Sequence, residues 1–281
     1  MLASEKKASV IDRLDTICEL LPKLGAQLIE LQKGDLGIDS KSTDVDLVTK
    51  ADYASEQALL NFLRERFPED GIITEEGSSS ALEEGRAEGF RWVLDPIDGT
   101  VNYANGLPMW VISIGLLYGE QRVGGIVEAP LLRERFRAVL GQGATLNGKP
   151  ISVNSKAQLR EGIVGTGFPY DRAQRAEPLS RALANMLRET GGVRRIGAAA
   201  LDLCYVAAGR LVGYYEMSLK PWDSAAGSLI VEEAGGRISD MSGGPLNIFT
   251  SKGLAASNGL VHDALVSAAA PMLEAISIEV E

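Results

Sequence analysis

Histidine and cysteine are almost absent from this chain of 281 residues, and their scarcity removes several kinds of catalytic site. The single histidine, His262, lies in SNGLVHDAL, away from any recognisable motif. A Ser-His-Asp or Cys-His nucleophile therefore has no candidate base. Cys18 and Cys204 stand among apolar residues without metal-ligand spacing, which favours free buried thiols over a disulfide or a zinc site.

Long apolar runs are also missing, since none reaches the roughly 20 residues that a membrane-spanning helix needs. The first residues, MLASEKKASVIDRLD, carry charges where a secretory signal is apolar, so we expect a cytoplasmic protein without membrane association. The formal net charge of −10 disfavours nucleic acid and anionic membranes as partners, because like charges repel. Carboxylate oxygen is what the chain has in quantity, and it suits Mg²⁺, Mn²⁺ or Ca²⁺.

Two amphipathic helices are predicted near the start of the chain. Apolar residues at three- and four-residue spacing predict a helix over 9–33, in which Ser9 and Asp12 resemble a capping box. Pro22 should kink or divide that helix. A second helix is predicted at about 53–66, after a polar loop rich in glycine and aspartate.

Strands dominate the middle of the chain and then alternate with helices. The segments RWVLD, WVISIGLLYG, RVGGIVEAP and RFRAVLGQGATLNGKPI predict antiparallel strands with turns at GEQ, GQG and NG. After about residue 155, the strands GIVGTG, VRRIG, VGYYE, GRISD and LAASN alternate with predicted helices at 178–190, 198–209, 223–234 and from about 261. No linker separates the halves, so we predict one fold over 1–281 with subdomains 1–154 and 155–281.

Acidic residues stand where these predicted elements begin or end. The set comprises Asp52, Glu75, Glu76, Asp95, Asp98 and Asp223. An aspartate at a helix start is commonly only an N-cap, and a Glu-Glu pair commonly faces solvent. Asp95 differs, because its strand is apolar and the following Pro96 blocks further regular pairing, which leaves the carboxylate at the mouth of the sheet.

The spacing of DPIDGT gives a reason for a metal. Two carboxylates so close together repel unless one is protonated or a cation lies between them. In a tight turn Asp95, Asp98 and the carbonyl of Ile97 can converge and supply most of one face of an octahedral site. Gly99 and Thr100 then offer backbone N–H groups at a helix start, where a phosphate oxygen can bind.

Three motifs, DPIDGTVNY, PWDSAAGSLIVEEAGG and ITEEG, resemble the inositol monophosphatase family of Mg²⁺-dependent, lithium-sensitive phosphatases. The signatures of that family are DPIDGTTNF and WDxAAG, and the resemblance covers nearly the whole chain. Val101 and Tyr103 depart from the first signature without removing an oxygen ligand. The resemblance implies an α/β fold of five layers, αβαβα, and a homodimer.

The resemblance also implies ligands for two or three Mg²⁺ ions, with Mn²⁺ as a substitute. Glu75, Asp95 and the Ile97 carbonyl would bind the first ion. Asp95, Asp98 and Asp223 would bind the second. No covalent intermediate is required, which suits a chain without a nucleophile–base pair.

Catalytic roles follow from the same resemblance. Thr100 and Asp52, the latter in VTKAD, would activate the attacking water, because a carboxylate can take a proton through a hydroxyl. A third, weaker ion would be bound by Glu75 and, through water molecules, by Glu76. Lys41 matches a family lysine close to the metal-site loop, although by itself it is typical of a solvated loop charge.

Substrate-binding residues are implied on both halves of the chain. Glu216 in VGYYEMSLKPWD would accept hydrogen bonds from two vicinal hydroxyl groups, and Lys220 would lie on the leaving-group side. The predicted substrate-binding set is Gly99, Thr100, Gly197, Ala198, Ala199, Glu216 and Lys220. The predicted activity is hydrolysis of inositol monophosphate, or a similar small phosphorylated polyol, by metal-activated water.

Other substrates and one other class of function stay open. Relatives with the same metal core act on histidinol phosphate, fructose 1,6-bisphosphate or 3′-phosphoadenosine phosphates, although no adenine slot is visible here. Some bacterial relatives act as accessory factors of transcription complexes, a role that favours an exposed basic patch. The candidates for such a patch are Arg194, Arg195, Arg133, Arg135 and Arg137.

Overall fold

The computed structural model describes residues 4–41, 46–77 and 89–278. The helices of this part are α1 Ser4–Leu31, α2 Lys50–Arg66, α3 Thr100–Ala104, α4 Ala176–Glu189, α5 Ala199–Ala207, α6 Pro221–Glu233, α7 His262–Ala269 and α8 Pro271–Ser277, with a 3₁₀ turn at Leu159–Glu161. The strands are β1 Asp39–Ser40, β2 Leu47–Val48, β3 Gly71–Thr74, β4 Phe90–Asp98, β5 Val111–Tyr118, β6 Gln121–Ala129, β7 Glu134–Val139, β8 Ala144–Leu146, β9 Lys149–Ile151, β10 Ile163–Thr166, β11 Gly192–Arg194, β12 Gly213–Met217, β13 Arg237–Asp240 and β14 Gly253–Ser257.

Two sheets carry most of the strands. The larger has the order β3-β4-β5-β6-β7-β8-β9, in which only the β3–β4 pair is parallel. The smaller has the order β11-β10-β12-β14-β13, with β10 parallel to both neighbours and the other pairs antiparallel. β1 and β2 form a separate two-stranded ribbon. The sequence-based prediction of an antiparallel middle followed by alternating strands and helices is confirmed.

Three buried clusters show how the layers stack. One joins α1 and α2 to the seven-stranded sheet, a second places α5 and α6 between the two sheets, and a third packs α4, α7 and α8 on the far face of the five-stranded sheet. The order is therefore helix, sheet, helix, sheet, helix, as the resemblance implied. The division into subdomains 1–154 and 155–281 stays a prediction, and α6 contacts both sheets.

Glycines in the large sheet let α6 approach closely. A Cβ atom on Gly115 would lie 2.7 Å from the Cβ of Ala225, and one on Gly125 would lie 2.9 Å from the carbonyl oxygen of Ala226. Real Cβ atoms do not approach neighbours so closely, so no side chain fits there without displacing the helix. The glycines thus allow α6 to pack closely on β5 and β6, next to the strand β4 that ends at the acidic motif.

Two local predictions need correction. α1 begins at Ser4, so Ser9 and Asp12 lie inside the helix and form no N-cap; the Ser9 hydroxyl instead accepts a hydrogen bond from Arg13, 2.5 Å away. Pro22 does not divide α1, because it lies on the exposed side, where the carbonyl that loses its partner can bind water, while the stripe from Val10 to Leu28 stays buried against the sheet.

The strand that ends at the acidic motif also continues further than expected. β4 pairs with β5 as far as Asp95, shifts register across Pro96 and Ile97, and pairs again at Asp98. The proline interrupts the ladder, as the sequence predicted, but the interruption is a bulge. The bulge places both aspartates at one end of the strand.

Candidate active site

A cavity of about 130 Å³ opens where the end of β4, the start of α5 and the end of β12 meet. Its lining comprises Asp98, Gly99, Thr100, Val101, Phe168, Pro169, Tyr170, Arg195, Gly197, Ala199, Glu216, Met217, Ser218, Leu219 and Asp223. Seven of the residues predicted from the sequence are in this set. Chain segments separated by more than a hundred residues therefore contribute to one candidate site.

The DPID turn is fixed by hydrogen bonds to its own backbone and to α2. Oδ1 of Asp95 accepts a hydrogen bond from the Ile97 N–H at 3.0 Å. The Ser55 hydroxyl donates to the Pro96 carbonyl at 2.9 Å. Asp95 and Ile97 are both buried behind the cavity and do not line it.

Asp98 connects this turn to the second half of the chain. Oδ1 accepts a hydrogen bond from the Ala199 N–H at 3.1 Å, and Oδ2 accepts one from the Ala200 N–H at 2.7 Å. These are free amides of the first turn of α5, so the carboxylate caps that helix across more than a hundred residues of sequence. The Ala199 N–H, which was expected to face substrate, is engaged by Asp98.

Gly99 turns the chain from β4 into α3. Its φ angle is +95°, a region that favours glycine, and a Cβ there would lie 3.0 Å from the Met109 carbonyl oxygen and 3.2 Å from that of Gly197. Ala198, buried beside it, does not line the cavity. The glycine therefore permits the close contact between the phosphate-side turn and the Gly197 loop.

Thr100 and Asp52 form a buried pair behind this turn. The Thr100 hydroxyl lies 3.0 Å from Oδ1 of Asp52 and 3.0 Å from the Ile97 carbonyl oxygen. Oδ2 of Asp52 accepts hydrogen bonds from the N–H and the hydroxyl of Thr49, at 2.7 and 2.6 Å. Asp52 is thus part of the α2 capping box and also the partner of Thr100, so the two interpretations of this residue are compatible.

Glu75 and Glu76 follow β3 and both pair with Lys41. The Lys41 Nζ atom lies 2.9 Å from Oε1 of Glu75 and also contacts Oε1 of Glu76. Burial lowers the pKa of Lys41, but the two carboxylates outweigh burial and raise the pKa above its usual value. The ammonium group therefore serves as the cation beside these glutamates.

Glu56 lies beneath the Glu75–Glu76 turn and has no counterpart in the sequence-based site. Its carboxylate is fully buried and accepts hydrogen bonds from the Thr74 hydroxyl at 2.6 Å and from the Glu76 N–H at 3.0 Å. Periodicity places Glu56 on the buried face of α2, and a charged residue on an apolar face was the only available signal.

Burial and mutual repulsion raise the pKa values of the acidic groups at the site. Burial, and then the charges of Glu75, Asp98 and Asp223, raise the pKa of Asp95 well above its usual range, and a hydrogen bond with Glu75 contributes. Burial raises the pKa of Asp98 to about 7, although the amides of α5 oppose the shift. Burial, with repulsion from Asp98 and Glu75, also raises the pKa of Asp223.

The donor set fits a hard divalent cation in its chemistry. Every group is a carboxylate or carbonyl oxygen, and the raised pKa values show that the protein alone does not neutralise the charges. Within the described residues, no group of three or more acidic, histidine or cysteine side chains is arranged so that it could hold a metal ion. Lys41 pairs with Glu75, and the backbone N–H groups of Ile97 and Lys220 donate to Asp95 and Asp223.

Glu216 lies at the end of β12 on the other side of the cavity. Burial raises its pKa to about 7, while a hydrogen bond from Tyr214 and the charge of Arg195 act in the opposite direction. Lys220 directs its N–H to Oδ2 of Asp223 at 2.7 Å, and its side chain lines a neighbouring cavity instead of this one.

Several cavity residues were missed by sequence reasoning. Phe168, Tyr170 and Arg195 line the cavity from the loops after β10 and β11. Asn102 donates to the carbonyls of Met109 at 2.6 Å and Ile196 at 2.9 Å, which joins α3 to the Gly197 loop. Its place in DPIDGTVN was the available signal, whereas the loop residues carry none.

Comparison with known proteins identifies the family of this chain. The model of the inositol monophosphatase family matches residues 12–274. The chain belongs to the inositol monophosphatase family. A similar relative is the inositol-1-monophosphatase of Synechocystis, 39% identical over 257 residues, which cover 92% of this chain and 88% of the relative. The Nus factor SuhB of Pasteurella multocida is 42% identical over 235 residues, or 83% of this chain and 86% of that protein.

Solved structures extend the likeness to this family member's fold. The IMPase of Thermotoga maritima superposes with a TM-score of 0.85 at 36% identity, covering 95% of this chain and all of that one (100%). The suhB protein of Bartonella henselae also reaches 0.85, at 33% identity, covering 92% and 98%. The family and these names support a phosphatase with a small phosphorylated substrate, in a family that is generally metal-dependent.

The single histidine and the two cysteines lie outside the candidate site. His262 is buried and lies between the hydroxyls of Ser257 and Ser239, 3.0 and 2.9 Å away, so it is part of the core. Cys18 and Cys204 are free thiols. None of the described helices combines the length and apolar character required to cross a bilayer.

Proposed function

We propose that this family member is a Mg²⁺-dependent phosphomonoesterase that hydrolyses inositol monophosphate, or a closely similar polyol phosphate, to the alcohol and phosphate. The observation that carries the proposal is the buried Thr100–Asp52 pair beside carboxylates whose pKa values are raised by burial. A proton acceptor and a set of unneutralised hard ligands are what metal-assisted hydrolysis needs.

Glu75, Asp95 and the Ile97 carbonyl would hold one Mg²⁺ ion, and Asp95, Asp98 and Asp223 a second. When bound, such ions lower the pKa of attached water and neutralise phosphate charge, and Mn²⁺ has similar chemistry. A third, weaker ion would use Glu75 and, through water, Glu76. Lys41, which pairs with Glu75, would compete with a metal for this carboxylate.

The proton route uses residues of this chain alone. The Thr100 hydroxyl accepts the proton of the attacking water as it passes its own proton to Asp52, 3.0 Å away. Burial raises the pKa of Asp52 and so makes it a better proton acceptor than an exposed carboxylate. The Thr49 contacts hold Asp52 in the required orientation.

The leaving alcohol would bind between the Gly197 loop and β12. Glu216 can accept hydrogen bonds from two neighbouring hydroxyl groups, which favours a polyol. It also suits the cationic group of histidinol phosphate, and fructose 1,6-bisphosphate is a further alternative substrate. Gly99 and Thr100 present the phosphate-side amides at the start of α3.

A substrate panel tests this proposal. Phosphate release is measured with myo-inositol 1-phosphate, histidinol phosphate, fructose 1,6-bisphosphate and 3′-phosphoadenosine 5′-phosphate, in Mg²⁺ and after exhaustive chelation. We expect the highest kcat/KM for inositol 1-phosphate, no turnover in chelator, and recovery when Mg²⁺ or Mn²⁺ is returned. Full turnover in chelator overturns the proposal.

A role as an accessory factor of a transcription complex is the second candidate, because relatives of similar identity are named Nus factor SuhB. Two of the five arginines predicted for a basic patch are neutralised, which weakens this candidate. Arg135 pairs with Glu128, and Arg137 with Asp15, so acidic partners neutralise both arginines on β7. Capture of RNA polymerase by the purified protein, compared with phosphatase turnover of the same sample, separates the two roles.

Assembly and location are proposed with the same function. We propose a homodimer on the basis of the family resemblance, which light scattering coupled to size exclusion tests directly. Free thiols at Cys18 and Cys204 suit a reducing compartment, which supports a cytoplasmic location.

A further inference from the structure

Two carboxyl groups share a hollow over Gly165 and Gly167, on one face of the five-stranded sheet. A Cβ on Gly165 would lie 2.5 Å from Oδ1 of Asp202, and one on Gly167 would overlap the carboxylate of Glu216. Residues two apart on a strand point to the same face, so the missing side chains of these glycines leave one continuous space. Asp202 enters this hollow from α5, and Glu216 enters it from β12.

Tyr214 lies between the two carboxyl groups. It pairs with Gly165 in the β10–β12 ladder, and a Cβ on that glycine would lie 3.2 Å from Cδ2 of the Tyr214 ring. The hydroxyl of Tyr214 donates a hydrogen bond to Oε2 of Glu216. Burial, and then the charges of Glu216 and Asp202, raise the pKa of Tyr214 above its usual value, so the hydroxyl keeps its proton and is a donor.

Asp202 has no comparable donor. It is 1% exposed, and within the described residues its Oδ1 atom has no hydrogen-bond partner. Burial, and then the charges of Glu216 and Asp98, raise the pKa of Asp202 well above its usual range, while the charge of Arg195 acts in the opposite direction. Two buried carboxyl groups that interact do not ionise together, so the group with the donor carries the charge. In this hollow that group is Glu216.

The position of the charge matters because only one of the three groups reaches the cavity. Glu216 lines the candidate active site, whereas Asp202 and Tyr214 do not. A hydrogen bond to Oε2 also restricts the rotamers of the glutamate side chain, which would otherwise lose that freedom when substrate binds. One buried hydroxyl thus determines where the charge lies and how the carboxylate is oriented.

We propose that Tyr214 is a positioning residue for the leaving alcohol: it places the negative charge of the hollow on Glu216 instead of Asp202 and holds Oε2, so that the remaining lone pairs accept hydrogen bonds from vicinal hydroxyl groups. The inference rests on the proposed function. It makes Tyr214 a determinant of selectivity for polyol phosphates over esters without neighbouring hydroxyl groups. Gly167 contributes by leaving room for the carboxylate.

The test compares kcat/KM for myo-inositol 1-phosphate and for phenyl phosphate, whose leaving alcohol has no second hydroxyl group. In Tyr214→Phe the ratio of the first to the second should fall about tenfold, the value of one charged hydrogen bond, mainly through a higher KM for the inositol ester. Gly167→Ala should lower the ratio too, because its Cβ displaces the carboxylate. Tyr215→Phe, at a buried tyrosine on the opposite face of β12, is the matched control and should keep the ratio.

Two acid-to-amide variants in the hollow separate positioning from support of the fold. Glu216→Gln should lower the ratio, whereas Asp202→Asn should keep it, because Asp202 is already neutral. The double variant Tyr214→Phe, Glu216→Gln should be no less selective than Glu216→Gln alone, since Tyr214 acts through Glu216. An unchanged ratio in Tyr214→Phe overturns the inference, and so do additive losses in the double variant.

A ¹³C NMR titration of the Glu216 carboxyl carbon in EDTA is independent of turnover, with the signal assigned by its loss in Glu216→Gln. The Tyr214 hydrogen bond lowers the pKa of Glu216 against burial, so Tyr214→Phe should raise that pKa from about 7. The other charged groups that act on Glu216 remain in this variant, namely Arg195 after β11, Asp202 on α5, Asp98 at the end of β4 and Asp223 on α6. If neither ester is hydrolysed but the shift is seen, the proposed function fails and the positioning of Glu216 by Tyr214 stands. If no shift is seen, the positioning role is wrong.

Discussion

Oδ2 of Asp98 lies 2.7 Å from the backbone nitrogen of Ala200, so a residue of the metal motif is also the N-terminal cap of α5. The same carboxylate would have to serve a cation on one side and a helix on the other. An oxygen has lone pairs for both. In the proposed function, a metal bound to Asp98 would therefore also act on the start of α5, which borders the cavity.

Asp223→Asn should reduce kcat on the order of a hundredfold or more, since it removes a charge from the second ion site. The carboxamide oxygen still accepts the Lys220 N–H, and repulsion from Asp98 is relieved. In EDTA the variant should therefore melt at least as high as wild type. Steady-state rates test the loss of kcat, and thermal melts in EDTA test the stability. Asp263→Asn, at an exposed partner of Arg237, is the control. A near-wild-type kcat at moderate Mg²⁺ would show that the second ion lies elsewhere.

Thr100→Ala should lower kcat by about a hundredfold with little change in KM, because the hydroxyl passes a proton whereas phosphate binds to amides and metal. Asp52→Asn should behave similarly, and the double variant should be little worse than either single one. Thr100→Ser should recover most of the rate. Additive losses in the double-mutant cycle would mean that Asp52 acts only as a cap of α2.

The stability of the metal-free protein should fall as pH rises from about 4 to about 7. Burial raises the pKa values of Asp98 and Glu216 to about 7 in the folded state, above the roughly 4 of an unfolded chain. The folded protein then binds more protons than the unfolded one in this window, so stability is present below it and is lost as pH passes 7. Thermal melts in EDTA check this, and saturating Mg²⁺ should flatten the decline. A melting temperature that climbs with pH in EDTA would contradict it.

Glu56→Gln should raise the Mg²⁺ concentration for half-maximal activity several-fold while kcat at saturating Mg²⁺ changes less. Glu56 holds the Glu76 N–H and the Thr74 hydroxyl, and a neutral amide binds them more weakly, so the Glu75–Glu76 turn loses its support. Glu65→Gln, exposed on the same helix, is the matched control. An unaltered Mg²⁺ dependence would limit Glu56 to a structural role.

Li⁺ at millimolar concentration should inhibit uncompetitively. Li⁺ is close to Mg²⁺ in size with half the charge, and the proposed second site uses Asp95, Asp98 and Asp223 with no further protein ligand, so that ion should be the more exchangeable one. Product phosphate would then leave slowly, and inhibition would deepen as substrate increases. Velocity series at matched ionic strength should give parallel double-reciprocal lines. Lines that meet on the velocity axis would mean competition for free enzyme.

The sequence predicted those parts of the site that depend on local pattern. The apolar run before Asp95 predicts a strand, and the glycine after Asp98 predicts a turn. The structure has both, with β4 ending at Asp98 and Gly99 in the turn to α3. The alternation after residue 155 likewise located α6, which begins two residues before Asp223.

Contacts between distant segments could not be predicted in this way. Nothing in the motif shows that Asp98 caps α5, that Lys41 pairs with Glu75, or that Glu56 supports the Glu76 turn, because each depends on how the layers stack. The start of α1 at Ser4 was missed for a related reason. Tertiary packing of its buried stripe extends the helix past the first local cap signal.

The distance between the acidic groups depends on the packing of residues that have no reactive side chain. Asp223 stands two positions before Ala225, whose methyl group already touches the bare backbone of Gly115, and Gly115 lies two positions after Ser113, which pairs with Asp95. A methyl group added at Gly115 would push α6 away from β5. Asp223 would then move away from Asp95, although neither carboxylate is altered. The relative position of the proposed ligands Asp95 and Asp223 thus depends on packing inside a hydrophobic layer, out of reach of solvent and substrate.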